Sequence, residues 1–289
     1  MERRDERRGS APKARRARRS IVLALIVAAG LLGAFALGSS WADIGEPRDQ
    51  PSANTAAKIE AQRDARSLEW IELYTGGAKE GEALPLVLAL HGLGDRPEYF
   101  AYVFEGLRAK ARVIIPRAPI PYSGGFGWTL VRASGGDRSA LASELNARAL
   151  ELEALLRGER EKKKETVGAP IVIGFSQGAM LTYLLAVQPS PEIHAAIPIA
   201  GLLVDEALLP ARAPKDAPAI HAFHGDADPL IPFSEGERTT EWLKARGYEA
   251  SLHRGRGVPH RIPGEYRAEV LRTLERAIAE VTRAGAPER

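Results

Sequence analysis

The stretch PIVIGFSQGAMLTYLLAV, residues 170–187, changes its pattern halfway along. Its first positions are apolar on both faces, as Ile171, Val172 and Ile173 show, which suits a central strand covered from both sides. From Gly178 to Val187 the run is helix-like. Between the two lies Gly174-Phe175-Ser176-Gln177-Gly178, a G-x-S-x-G sequence. A serine on so sharp a strand-to-helix turn takes a strained backbone and needs small neighbours, and Gly174 and Gly178 supply that room. The turn lifts the Ser176 hydroxyl above the sheet and sets it near a helix N-terminus, where developing negative charge is stabilised. Ser176 is the expected nucleophile.

The same alternation extends outward. Strands are expected at residues 68–74, 84–90, 112–115, 195–200, 219–222 and 250–253, and helices at 139–160, 178–187, 234–246 and 264–283. In the first helix Leu141, Leu145, Ala149, Leu152 and Leu156 form one apolar stripe; in the last, Val270, Leu274, Ile278 and Val281 do so. Strand–helix alternation over about 220 residues predicts one α/β domain, residues 67–289, with a mainly parallel central sheet and helices on both faces.

A serine hydroxyl needs a base, and the base needs an orienting acid. On a strand–G-x-S-x-G–helix scaffold the triad runs Ser, then Asp or Glu, then His. Only His253 and His260 follow a plausible acid. His253 falls inside an expected strand. His260 lies in the loop Gly255-Arg256-Gly257-Val258-Pro259-His260, past that strand, where such sheets hold their catalytic groups. His260 is the expected base. The acid should follow the strand at 219–222, where HGDADPLIP (224–232) offers Asp226 and Asp228, which spacing alone does not separate; Asp226 equally suits a turn. The oxyanion donors should be the backbone amides of Gln177, just after the nucleophile, and of Leu93, in the loop HGLGD (91–95) after an early strand. His91 precedes Ser176, the wrong order for a base, and reads as a loop brace.

Together HGLGD (91–95), GFSQG (174–178), HGDADPLIP (224–232) and GVPH (257–260) resemble the phospholipase/carboxylesterase family of α/β hydrolases, which includes acyl-protein thioesterases and small bacterial carboxylesterases. The resemblance runs from about residue 84 to residue 280. It implies an α/β-hydrolase fold, Ser176 as nucleophile, Asp228 as acid, His260 as base and the Leu93 and Gln177 amides as oxyanion donors, with no metal or cofactor. It also implies an aromatic residue near the acyl pocket at Trp128, for which a core-capping role is the alternative. The segment 122–127 around it is glycine-rich, unlike the thioesterase form, and reads as an open loop.

Charge separates the remainder of the chain. The chain has 289 residues, a net charge of +3 and no cysteine, which excludes a disulfide scaffold, thiolate metal sites and a thiol nucleophile. Residues 1–20 hold nine Lys/Arg against three Asp/Glu, and residues 21–42 hold no charge. Residues 43–289 carry 31 Lys/Arg and 34 Asp/Glu, so the basic balance belongs to the tail and argues against a nucleic-acid partner. IVLALIVAAGLLGAFALG (21–38) is long enough to cross a bilayer core of about 30 Å, and the cations before it keep the tail cytoplasmic. It reads as a signal peptide, with Ser40 and Ala42 fitting a cleavage site, or as a retained membrane anchor. Residues 43–66 read as a linker. The expected protein is an exported serine hydrolase of small-molecule or lipid esters, membrane-attached or released. A polymer or feruloyl-type esterase and a non-catalytic surface-anchored binding module are the rivals.

Overall fold

In the computed structural model the apolar runs pair into one sheet; residues 15–16, 68–131, 137–162, 166–189, 191–204 and 210–285 are described. The strands are β1 (Trp70–Tyr74), β2 (Leu84–Leu90), β3 (Arg112–Pro116), then a separate hairpin of β4 (Ile120–Tyr122) and β5 (Gly125–Gly127). After these come β6 (Thr166–Phe175), β7 (Ala195–Ile199), β8 (Ala219–Gly225) and β9 (Ala250–Gly255). Across the sheet the order is β1-β3-β2-β6-β7-β8-β9. β1 runs antiparallel to β3, and every other neighbouring pair is parallel. Beyond β1 the backbone of Arg15–Arg16 adds a two-residue antiparallel rung, opposite Glu72 and Ile71. The candidate signal or anchor at residues 21–42 and the linker at 43–66 lie outside the described residues. Among the described residues no helix is long and apolar enough to cross a membrane.

Parallel neighbours require crossover connections, and these place helices on both faces. The helices are α1 (Arg138–Lys162), α2 (Gln177–Ala186), α3 (Phe233–Ala245) and α4 (Gly264–Ala284). Alternate residues of β2 show the division. Leu86, Leu88 and Leu90 join a core with Leu141, Leu145 and Leu152 of α1 and Leu181 and Leu184 of α2. Val87 and Ala89 join the opposite core with Phe100, Val103 and Phe104 and with Val270, Leu274 and Ile278 of α4. Burying each such aliphatic side chain stabilises the fold by roughly 1.5–3 kcal/mol. The stripe that marks α4 in the sequence is the stripe it buries.

The strands at the sheet's N-terminal end are tied by an ion triad in which Arg112 and Glu159 are buried and Glu72 is partly exposed. Arg112, at the start of β3, donates through Nε to Glu72 of β1 and through Nη2 to Glu159 of α1. The Arg112 and Glu159 side chains are 6% and 5% exposed. Desolvation opposes the charge on Arg112, but the two carboxylates outweigh it and hold the guanidinium protonated.

Two features depart from the sequence expectation. Pro97–Phe100 forms one helical turn that continues as a tighter turn, Ala101–Phe104, burying Phe100 and Val103 under the sheet. The segment expected as an open loop at 122–127 is part of the β4–β5 hairpin. Ser123 (φ 46°) and Gly124 (φ 81°) make its two-residue turn, and paired positive φ values match the twist of flanking strands. The hairpin closes onto the loop after β2: Gly94 N–H donates to Phe126 O at 2.8 Å, and Phe126 N–H to Asp95 O at 2.9 Å. Gly125 is required there, since a Cβ would lie 2.0 Å from Gly94 O.

The chain leaves β2 toward β3 on one side and runs from β6 toward β7 on the other. The C-terminal ends of β2 and β6 therefore flank a topological switch point, the place where open α/β sheets form a crevice.

Candidate active site

Ser176 sits at that switch point, between β6 and α2, with φ 56° and ψ −116°. This backbone is costly for a residue with a Cβ, by about 1–3 kcal/mol, and persists only where its surroundings impose it. Its amide is fixed by a bond to Ile199 O at 3.0 Å. The two motif glycines make the turn possible. A Cβ at Gly174 would lie 2.3 Å from Gly178 O, and one at Gly178 would lie 2.1 Å from Leu90 O. Strand, turn and helix are thus packed backbone against backbone.

His260, in the loop after β9, reaches Ser176 from the side. Its Nε2 lies 2.9 Å from Ser176 Oγ, and its Nδ1 lies 2.6 Å from Asp228 Oδ2. With Asp228 ionised, Nδ1–H donates to the carboxylate, leaving Nε2 to accept from the hydroxyl. The Phe175 ring lies 4.9 Å from the imidazole, centroid to centroid, and covers one side of it.

The Asp228 side chain is fully buried. Burial pushes its carboxyl up, but donors surrounding the charge outweigh that and hold it well below the ordinary range. These donors are His224 and His260, and the amides of Ile231 and Leu230, which give Oδ1 two bonds of 2.9 Å. His224, which nothing in the spacing marks out, is buried beneath the loop. Its Nε2–H donates to Ile231 O at 2.9 Å and lies 3.5 Å from Asp228 Oδ2. Asp226 does something else. It accepts from Gly257 N at 2.6 Å and from Arg254 Nε at 2.9 Å, bracing the turn that carries His260.

The Leu93 loop lies against Ser176: a Cβ on Gly92 would come within 3.4 Å of the serine Cβ. Among the described residues neither the Leu93 nor the Gln177 backbone N–H has an acceptor. The Gln177 side chain is buried and engaged. Its Oε1 accepts from Trp128 N at 2.9 Å, and its Nε2 donates to Thr129 Oγ1 at 2.8 Å. His91 is fully buried; Nδ1–H donates to Gly92 O at 2.8 Å and Nε2 accepts from Ala118 N at 3.2 Å. Burial lowers its basicity, so it braces the loop as a neutral ring. His253 stacks on Phe223 at 4.5 Å, and its Nε2 lies 3.5 Å from Ser251 Oγ.

For Trp128 the structure matches the core-capping alternative. The residue has no exposed surface, so it presents none to a ligand, and its Nε1–H donates to His91 O at 2.8 Å. An indole nitrogen buried this deeply needs an acceptor, and a backbone carbonyl under the active-site loop supplies it. The ring fills core.

Residues 77–278 match the family model described as Phospholipase/Carboxylesterase. Among curated proteins, acyl-protein thioesterase 1 of Gibberella zeae is 26% identical over 211 residues, covering 66% of this chain and 90% of that one. Acyl-protein thioesterase 1 of Neurospora crassa is 28% identical over 195 residues, covering 60% and 79%. Among solved structures, esterase PE8 is similar with a TM-score of 0.61 at 25% identity, covering 72% of this chain and 97% of its own. The Bacillus cereus carboxylesterase has a TM-score of 0.63 at 16% identity, covering 75% and 98%, and shares the fold. With seven tenths of its length inside the family model and this fold around a G-x-S-x-G turn, the chain belongs to the phospholipase/carboxylesterase family of α/β hydrolases and is a serine ester hydrolase of the carboxylesterase–thioesterase kind.

Proposed function

We propose that Ser176, His260 and Asp228 are the catalytic triad of an exported hydrolase of carboxylic esters. The observation that carries this reading is the unbroken chain of short bonds from Asp228 Oδ2 through His260 to Ser176 Oγ, 2.6 and 2.9 Å long. In the reaction His260 Nε2 takes the Ser176 proton as Oγ attacks the ester carbonyl. Asp228, ionised and buried, stabilises the imidazolium that forms. The Leu93 and Gln177 amides receive the tetrahedral oxyanion. Imidazolium then protonates the departing alcohol, leaving an acyl-serine. A water deprotonated by His260 attacks this ester, and collapse of the second tetrahedral species releases the acid and restores the hydroxyl.

The relatives named as acyl-protein thioesterases support thioesters as a second class of substrate, because the same attack serves a thiolate leaving group. Nothing favours the polymer-esterase rival, whose support was an open loop where the β4–β5 hairpin stands. The binding-module rival is disfavoured by an assembled triad, which a non-catalytic surface does not require.

Export is inferred from the charge-free run at 21–38 behind nine cations, with the domain released after Ala42 or held by the run as an anchor. The Arg15–Arg16 rung would then be absent from the mature domain. Two residues of pairing contribute little, and β1 keeps its five residue pairs with β3.

Ser176→Ala tests the site. It should abolish hydrolysis of p-nitrophenyl acetate and reaction with a fluorophosphonate probe while the far-UV circular dichroism is kept. Substantial remaining turnover would overturn the triad assignment. N-terminal sequencing of the protein recovered outside the cytoplasm tests the route.

A further inference from the structure

The two candidate oxyanion amides come from loops far apart in sequence, after β2 and after β6, yet one short segment touches both. Residues 126–129 leave the β4–β5 hairpin and pass between them. At one end Phe126 is zipped to the Leu93 loop by the 2.8 and 2.9 Å bonds with Gly94 and Asp95. Gly127 lies so close to Leu93 that a Cβ there would meet Leu93 Cδ1 at 2.5 Å. At the other end Trp128 N–H and the Thr129 hydroxyl are held by the carboxamide of Gln177, which is 5% exposed. Thr129 O accepts a third, longer bond from Gln177 Nε2 at 3.3 Å. The Trp128 indole closes the loop through His91 O.

We propose that the side chain of Gln177 is a positioning residue for the oxyanion hole. Its carboxamide, through residues 126–129, sets the Leu93 amide against the Gln177 amide. The inference rests on the triad reading above and adds to it a role for a side chain that does not meet the substrate. The physical reason is geometric. An oxyanion hole works when its donors already stand about 2.7–3.1 Å from where the oxygen will be, and loops that drift relative to each other lose that arrangement. A Gln side chain reading one N–H and one hydroxyl on the intervening segment fixes both distance and orientation. An apolar side chain of equal length fixes neither.

The test is Gln177→Met, which keeps the backbone amide and side-chain length but removes all three bonds. It is compared with Thr129→Val, which removes the 2.8 Å bond together with the hydroxyl's own 3.0 Å bond to Val131 O, and keeps the other two Gln177 bonds. Gln177→Met should lower kcat by about 10- to 100-fold, part of the loss seen when an oxyanion donor is deleted outright. KM and the acid limb of the pH–rate profile should stay unchanged, because the Ser176–His260–Asp228 bonds are untouched. Affinity for a phenylboronic acid, whose tetrahedral adduct on Ser176 places an oxygen in the hole, should fall by the same factor as kcat. Thr129→Val should show the same signature, smaller, and decides the matter if Gln177→Met does not fold. Unchanged kcat and boronate affinity, or a loss residing in KM, would overturn the proposal. A Ser176→Ala protein that still turns over would instead overturn the triad reading beneath it.

Discussion

Asp228 and Asp226 are two residues apart on one loop, yet their carboxylates serve opposite ends of it. Asp228 is buried, 2.6 Å from His260 Nδ1, while Asp226 turns outward to hold Gly257 N and Arg254. On the proposed triad, Asp228→Asn removes the charge that would stabilise the imidazolium and permits the wrong tautomer of His260. We expect kcat to fall by about 10⁴-fold, the scale of that change in a Ser-His-Asp triad. Asp226→Asn should leave kcat within about threefold, a residual change of under about 1 kcal/mol in the barrier. Parallel kinetics of the two variants on one ester settle it, and equal losses would contradict the division of roles.

Gly178→Ala places a methyl 2.1 Å from one backbone oxygen, Leu90 O, and 2.8 Å from another, His91 O, neither of which can rotate away. Overpacking of this kind costs about 1–3 kcal/mol or more, which for a domain this size lowers Tm by several degrees. Gly158, inside α1, offers the contrast, since nothing lies within 4 Å of a Cβ there. Gly158→Ala should raise stability by roughly 0.5–1 kcal/mol. Differential scanning calorimetry of both should give shifts of opposite sign.

Acid should destabilise the domain in two stages. His91, His221 and His253 have basicity lowered chiefly by burial, with Arg276 adding to it for the latter two. Each is neutral in the native protein where the unfolded chain would already take a proton. Their contribution is full above about pH 6.5 and declines below it. Asp228, also depressed, adds stability that is full above about pH 3.9 and is lost on further acidification. Urea midpoints measured across this range should fall steadily on the acid side, and a midpoint that rose on moving from neutral to mildly acid pH would refute the sign.

The Glu72–Arg112–Glu159 triad should respond strongly to loss of one buried member. Glu159→Gln leaves the guanidinium short of one carboxylate in a place solvent hardly reaches, and removing a partner from a buried pair costs about 3–5 kcal/mol. Lys162 lies 3.9 Å from the same Glu159 but is 69% exposed. Lys162→Ala should cost less than about 1 kcal/mol. Comparable urea midpoints for the two variants would show that Arg112 is better hydrated than its burial implies.

The sheet was readable because its central strands are apolar on both faces and α1 and α4 carry one apolar stripe; the observed Thr166–Phe175 and Gly264–Ala284 contain the segments expected. The proposed nucleophile and base stood out for a different reason, since a strained turn demands glycines and a triad on this scaffold has a fixed chain order. The choice of Asp228 over Asp226 was not available from spacing. It depends on which carboxylate points inward, a tertiary fact, and before the structure only the family resemblance made it. The β4–β5 hairpin was missed because its strands are three residues long and carry Pro121, Gly125 and Gly127, although Ser123-Gly124 is the kind of pair that makes a two-residue turn. Trp128 and Gln177 illustrate the same limit. Their roles are hydrogen bonds across some fifty residues of chain, which no local pattern encodes.

The backbone of Ser176 sets stability and turnover against each other. At φ 56° a glycine would rest where the serine is held by force. Ser176→Gly therefore offers the domain an easy gain in thermal resistance at the position where the change removes the proposed nucleophile. A library of this enzyme selected by heat alone would enrich dead proteins, so directed evolution of the scaffold has to read turnover in every round.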